Sequence, residues 1–365
     1  MLAKKNKSLY IHIPFCEHIC SYCDFTKLFY NEKFSQAYSN ALFNEIDSYH
    51  LDKMNTIYIG GGTPTALSDK EFEMLLSKVS PLLSKDGEFT CEANVENLSI
   101  RKLELMKKFK VNRLSIGIES SHNKRLKEIG RCHTYEEAVN VVDEAKKLGF
   151  SNINVDLIFG FPNETMDELK EDLKNILKLN TDHISIYSLS VSPGTIFFNN
   201  KVKEQNQDES REFYDEILKT LRASGYERYE ISNFAKNGKY SRHNLTYWRD
   251  EEYCGVGLGA SGYLNDVRYE NTKNLNEYLR RNFVASKEKV NDKLDLEYFL
   301  ITNLRLEQGF SRKEFINRFG IDFVDKYQDK VDLLVKKSLL VVTSDRIMLS
   351  DEGLIIMDSI LLDLL

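Results

Sequence analysis

The sequence predicts an α/β fold: a partial (β/α)6 TIM-like barrel carrying a smaller C-terminal, mostly helical, winged-helix-like domain. Three observations predict it. β-rich apolar runs alternate with amphipathic helical stretches as far as Leu221. Polar residues of unusual type stand at the same end of each run, and beyond residue 293 the pattern turns helical. Six successive βα units imply parallel strands joined by right-handed crossovers, since parallel neighbours cannot be linked by a tight turn. A doubly wound open sheet is the alternative arrangement of the same units.

In chain order, strands are expected at 8–15, 56–60, 88–93, 113–119, 152–159 and 183–189. Each is a short apolar run rich in β-branched and aromatic residues. Between them, 69–83 places Phe72, Leu75, Leu76 and Val79 on one helical face. Segments 135–148, 165–179 and 209–223 repeat that pattern. Segment 226–269 changes character, with many aromatics and glycines and little periodicity. The tail predicts helices over 294–304, 312–319 and 323–337, two short strands over 339–343 and 346–349, and a last helix from Glu352. Helices followed by a small hairpin resemble a winged helix. The expected division is a barrel over 1–230, a connecting region over 231–293 and a C-terminal helical domain over 294–365.

At 365 residues and 42% hydrophobic content, the chain is long enough to bury a large core. A net charge of −6 with interspersed signs argues against nucleic acid as a partner. No apolar run approaches the roughly 18–20 residues of a membrane helix. The start reads as the approach to a strand rather than a signal peptide. Three of the six cysteines fall within eight positions, which fits metal binding in a reducing, cytoplasmic setting.

Cys16, Cys20 and Cys23 form C-x3-C-x2-C directly after the first strand. Thiolates suit iron–sulfur clusters or zinc. A structural zinc site wants a fourth ligand, which His12 or His18 would have to supply. A 4Fe–4S cluster on three cysteines instead leaves one iron open to a small molecule. Other strand ends carry chemistry as well, as a barrel active site requires. Strand two runs into Gly60-Gly61-Gly62-Thr63-Pro64-Thr65, strand three carries Glu92, strand four reaches Glu119, strand five holds Asp156, and strand six reaches Tyr187 and Ser188. The glycines allow close backbone approach, or simply a tight turn. Arg131 can pair with a carboxylate, and Asp156 is costly to bury unpartnered. Taken singly, each acidic or basic residue reads better as a structural ion pair; taken together, they favour the functional reading.

The cysteine spacing resembles the radical S-adenosylmethionine superfamily, in which the methionine moiety chelates the open iron and cluster reduction yields a 5′-deoxyadenosyl radical. Tyr10-Ile11-His12-Ile13-Pro14-Phe15-Cys16, Arg113-Leu114-Ser115-Ile116-Gly117, Gly130-Arg131-Cys132-His133 and Asp156-Leu157-Ile158-Phe159-Gly160-Phe161-Pro162 narrow the resemblance. They are similar to the oxygen-independent coproporphyrinogen-III oxidase-like family. The resemblance implies a 4Fe–4S cluster on Cys16, Cys20 and Cys23. It implies S-adenosylmethionine contacts from Tyr10, Tyr22, Gly61, Gly62, Thr63, Glu92, Glu119, Arg131 and Asp156, some of them serving a second copy. Where the family usually has glutamine, this chain has Glu119, which adds charge and loses an amide donor.

Two features separate the oxidase from its relatives. The oxidase has a further cysteine where this chain has Phe25. The run His243-Asn244-Leu245-Thr246-Tyr247-Trp248 matches the H-N-x-x-Y-W motif of the heme chaperone branch, HemW. That resemblance implies heme as ligand, a recipient heme-requiring apoprotein that is respiratory and membrane-associated, and an electron donor. His243 would ligate heme iron while Tyr247 and Trp248 pack on the macrocycle; the plain alternative is an aromatic core cluster. The alternative function is radical decarboxylation of coproporphyrinogen III, so enzymatic turnover stays open. Cys91, Cys132 and Cys254 are expected as free buried thiols.

Overall fold

A computed structural model describes residues 8–365; the lysine-bearing start read as the approach to a strand, residues 1–7, lies outside them. Six parallel strands form the body of the main sheet: β1 (Ser8–Ile13), β2 (Met54–Gly61), β3 (Leu83–Asn94), β4 (Arg113–Glu119), β5 (Ile153–Phe159) and β6 (His183–Ser188). Each is followed by a helix: α1 (Glu32–Ser48), α2 (Asp69–Val79), α3 (Ile100–Lys108), α4 (Tyr135–Lys147), α5 (Met166–Lys178) and α6 (Gln207–Ala223). Three further strands complete the sheet: β7 (Glu227–Glu230), β8 (Asn233–Ala235) and β9 (Cys254–Val256). The order is β9-β1-β2-β3-β4-β5-β6-β8-β7. Consecutive strands are neighbours from β1 to β6, with no reversal of order, so the arrangement is the partial barrel rather than a doubly wound sheet.

Alternation along the strands explains the layering. Leu9, Ile11 and Ile13, Ile57 and Ile59, Leu114, Ile116 and Ile118, and Ile153, Val155 and Leu157 are fully buried in one core with the helices. The intervening residues are polar and form rows across the barrel. Tyr58, Thr90 and Arg113 share one row, and Glu92, Ser115, Asn154 and His183 the next. Gly117, Asp156, Ser185 and Asn233 form the row above. Capping boxes at Ser68/Glu71, Thr134/Glu137 and Thr165/Glu168 start α2, α4 and α5.

The helices α1 and α3 escape the sequence pattern. In α1 the buried face includes Ser35, Tyr38 and Glu45 beside Ala41, Leu42 and Ile46, which blurs the apolar stripe. Glu45 has a tertiary purpose: it accepts hydrogen bonds from the Gly257 amide at 2.8 Å, Asn271 at 2.6 Å and the Tyr278 hydroxyl. Those contacts tie the aromatic connecting region to the barrel. Phe234, Cys254, Val256, Leu258 and Tyr278 belong to the barrel core, while 261–264, 267–271 and 284–289 form a three-stranded antiparallel sheet outside it.

The tail has a core of its own, built on Phe299, Phe310, Phe315, Phe323 and Ile347. Its three-stranded sheet and helices give the winged-helix-like arrangement. The single helix expected over 323–337 is two, Phe323–Lys326 and Gln328–Lys336, because Tyr327 leaves helical geometry. Its ring lies 5.0 Å from that of Phe323. Among the described residues no helix is long and apolar enough to cross a membrane.

Candidate functional site

A cavity of about 340 Å³ opens at the carboxyl ends of the strands and runs down the barrel axis. Cys16, Cys20 and Cys23 line its mouth. Burial raises all three thiols, Cys16 to about 11, with no cation close enough to offset it fully. Thr63 Oγ1 donates to Cys16 Sγ at 3.6 Å, and Arg131 Nη1 approaches Cys20 Sγ at 3.8 Å. Among the described residues no three His, Cys, Asp or Glu side chains converge as a single-ion site. His12 is not available as a fourth ligand: its ring nitrogens engage Tyr10 Oη at 2.9 Å and the Thr26 carbonyl at 2.8 Å. Three soft thiols on one cavity wall, with His12 engaged elsewhere, fit a 4Fe–4S cluster.

The glycine run is dictated by its neighbours. A Cβ at Gly62 would lie 2.9 Å from Cys16 Sγ, one at Gly61 2.7 Å from the His12 ring, and one at Gly60 2.7 Å from the Glu92 carboxyl. Gly61 also has φ +117°, which favours glycine. The Gly62 and Thr63 amides donate to the carbonyls of Ile13 and Phe15, both at 2.8 Å, so this segment is stitched to the cysteine-bearing one. Glu92 accepts from the Tyr58 hydroxyl at 2.6 Å and the Gly61 amide at 3.0 Å. Burial nevertheless pushes its carboxyl up to about 7.

Across the cavity, Arg131 sits between Glu119 and Glu96. Burial works against its charge, but the two carboxylates raise its pKa further. Glu96 lies 3.8 Å from Arg131 and 3.2 Å from His133 Nδ1, and despite burial these partners hold it down to about 2. Glu119 has no such tight pairing, and burial pushes it up to about 7. It also adopts a left-handed φ of +70°, a strained conformation for a residue with a side chain. Asp156 accepts from Asn154 at 2.8 Å and Ser115 at 3.4 Å, and burial raises it.

Cys16, Cys20, Cys23, Tyr22, Gly61, Gly62, Thr63, Glu92, Glu119, Arg131 and Asp156 therefore share one wall system. Tyr10 does not line the cavity; it is held by His12 and packs beside Tyr58 at 6.0 Å. Of the expected heme motif, Asn244 reaches the cavity lining, while His243, Tyr247 and Trp248 do not. The motif forms α7 (Arg242–Trp248), laid across the amino-terminal end of the barrel. His243 is 0% exposed. Its Nδ1 meets Thr56 Oγ1 at 2.7 Å and its Nε2 meets Tyr247 Oη at 2.7 Å. Burial, reinforced by the Arg113 charge, lowers its pKa to about 3. Both nitrogens are engaged and the ring is neutral, an arrangement that matches the aromatic core cluster, the plainer of the two expectations. Tyr247 packs edge-on against Tyr253 at 4.6 Å, and the Arg305 guanidinium lies 4.5 Å over Trp248, so each ring has a partner within the protein. Cys91 and Cys254 are buried as expected, but Cys132 is exposed, because its neighbours Arg131 and His133 take the inward positions.

Sequence reading missed Arg113, Ser115 and Asn154, which line the lower cavity. They sit near strand starts, where a search of strand ends does not look.

Two family models match the chain: the radical SAM superfamily over residues 10–176 and the HemN C-terminal domain over 292–356. The heme chaperone HemW of Lactococcus lactis is 38% identical, covering 97% of this chain and 95% of the relative. HemW of Bacillus subtilis is 36% identical over 95% of this chain and 96% of its own length.

The chain belongs to the HemW family.

HemW of Escherichia coli is 31% identical over 97% of both chains. The solved structure of the Escherichia coli coproporphyrinogen III oxidase, HemN, superposes with a TM-score of 0.86, covering 99% of this chain and 90% of that one at 21% identity. At that identity the likeness describes the fold. Membership of HemW within the radical SAM superfamily implies a 4Fe–4S cluster and S-adenosylmethionine, and the cavity has the donor types for both.

Proposed function

We propose that this chain is a heme chaperone, binding heme together with a 4Fe–4S cluster and S-adenosylmethionine and passing the heme to a recipient apoprotein. The recipient is taken to be a respiratory, membrane-associated enzyme, with a separate electron donor serving the cluster in the cytoplasm. The observation that carries the reading is full-length likeness to proteins named heme chaperones. Phe25 supports it, standing where the oxidase has a cysteine. It is 63% exposed at the cavity mouth, with Phe29 65% exposed beside it. Exposed apolar side chains at a rim suit contact with an apolar macrocycle or with an apolar patch on a recipient protein.

When bound, the cluster and S-adenosylmethionine supply one-electron chemistry. The residues present would do the following work. Cys16, Cys20 and Cys23 would hold the cluster, and Thr63 and Arg131 would lend hydrogen bonds and charge to its sulfurs. Gly61 and Gly62 keep the cysteine loop close to the strand end. Glu92, Glu119 and Asp156 offer acceptors to ribose hydroxyls or an ammonium, and Tyr22 offers an aromatic face.

The test is an anaerobic heme titration of the reconstituted protein, followed by the Soret band, with transfer to an apo heme protein as the second readout. Saturable one-to-one binding and transfer are expected. Cys16→Ala, Cys20→Ala and Cys23→Ala together should remove iron and the cluster absorption. Absence of specific heme binding, with conversion of coproporphyrinogen instead, would replace the chaperone by the oxidase.

A further inference from the structure

Arg113 opens β4 at the bottom of the cavity and is 1% exposed. Its guanidinium lines the cavity, and its Nε is buried with no hydrogen-bond partner. Arg131, higher in the same cavity, reaches Glu96 at 3.8 Å; among the described residues Arg113 has no comparable ion pair. The carboxylates that feel its charge are Glu92 and Asp156. Both are already satisfied by other donors, Glu92 by Tyr58 and Gly61, Asp156 by Asn154 and Ser115. The Glu88 carboxylate at this end accepts the Arg242 and His243 amides, and the titratable rings packed around the floor are neutral. Burial and the Arg113 charge lower both His183 and His243. Tyr58 and Tyr229 keep their protons because burial raises them.

A guanidinium taken out of water without an acceptor costs several kcal/mol. Glu92 and Asp156 are turned to other donors and no neighbouring group accepts from the Arg113 Nε, which leaves the cavity as the source of an acceptor. A carboxylate is the natural match, because the planar fork can hold both its oxygens. The cavity is graded to suit such a ligand, with exposed Phe25 at the mouth and a lone cation at the floor.

We propose that Arg113 is the anion-binding residue of the barrel floor and takes a carboxylate of the ligand that fills the cavity. This rests on the reading that the cavity receives a tetrapyrrole and S-adenosylmethionine. The carboxylate belongs either to a heme propionate, entering with its acidic edge first, or to the methionine moiety of a second S-adenosylmethionine, the first copy's being engaged at the cluster.

The experiment compares each ligand with its carboxylate-free form on the cluster-reconstituted full chain. Hemin is set against hemin dimethyl ester by Soret titration. S-adenosylmethionine is set against decarboxylated S-adenosylmethionine by calorimetry. Wild type, Arg113→Met and Arg113→Lys are measured. In one pair, removal of the carboxylate should weaken wild-type binding by on the order of tenfold or more, as for a charge-assisted hydrogen bond. Arg113→Met should lose the same factor with the parent ligand and nothing further with the modified one. Arg113→Lys, which keeps the charge and favours folding, should show a smaller loss that likewise vanishes with the modified ligand. The pair that responds identifies the source. Equal binding of parent and modified ligands in both pairs overturns the proposal and leaves the chaperone reading standing. So does undiminished binding of the parent ligands by both variants. Failure of wild type to bind any of the four probes overturns both.

Discussion

Glu119 concentrates the tension of the site in one residue: a left-handed backbone, a buried carboxyl near 7 and an arginine shared with Glu96. Glu92 sits at about 7 for the same reason, burial. A carboxyl raised above its unfolded value favours the fold while protonated, and that contribution is lost as pH rises through the folded value. Considered alone, these two groups should make the ligand-free protein less stable between about pH 5 and pH 8. Glu96, held near 2, acts oppositely and loses its contribution only in acid. A Glu119→Gln variant should melt higher than wild type by a few degrees at the alkaline end and by less at the acidic end. Differential scanning calorimetry across pH checks this; a constant difference at all pH values would contradict it. The cysteines, Glu92, Glu119 and Asp156 were legible in the sequence because each is chemically out of place in or beside an apolar strand, whereas Arg131, in a loop between helices, stood out through the family resemblance. Arg113 was not legible, because a strand-initial arginine looks like a solvated one until the barrel closes around it.

Among the elements, α7 shows how a motif can be visible while its work is not. His243, Asn244, Tyr247 and Trp248 stand out by composition, yet only the fold brings Thr56 and Glu88 beneath them. The Glu88 carboxylate accepts the His243 amide at 3.0 Å, and the ring lies 5.1 Å from that of Tyr58 in a stacked arrangement. Replacing His243 by alanine removes two buried hydrogen bonds and leaves a void. The expected cost is about 2–4 kcal/mol in denaturant unfolding. At a temperature where the variant is folded, heme affinity should stay within a factor of two or so, since the ring nitrogens face protein. A large loss of affinity with unchanged stability would put His243 in the ligand set. The helix α1 marks the opposite limit. Its buried Ser35, Tyr38 and Glu45 are polar for tertiary reasons, and local periodicity carries no trace of the partners they await.

At the scale of the whole molecule, the six-unit barrel was legible because hydrophobic period and strand-end chemistry pointed the same way. The seating of the tail was not, because it depends on ion pairs across long sequence separation. Arg305 reaches Glu230, which is fully buried, at 2.6 Å, and also covers Trp248. The Arg228 side chain, itself buried, pairs with both Glu307 and Asp351. Leu306 bridges Glu230 backbone to backbone, so the tail protects the edge of the sheet at β7. Arg305→Ala should therefore cost about 3 kcal/mol by stranding a buried carboxylate. Limited proteolysis should then release the tail before the barrel is cut; cleavage in the wild-type order would argue against this seating. The α7 plug has a further consequence. Among the described residues α7 closes the amino-terminal end of the barrel, so under the proposed reading a ligand of the cavity comes and goes past the rim that carries Phe25 and the cysteines. The rim is then where a recipient would have to meet it.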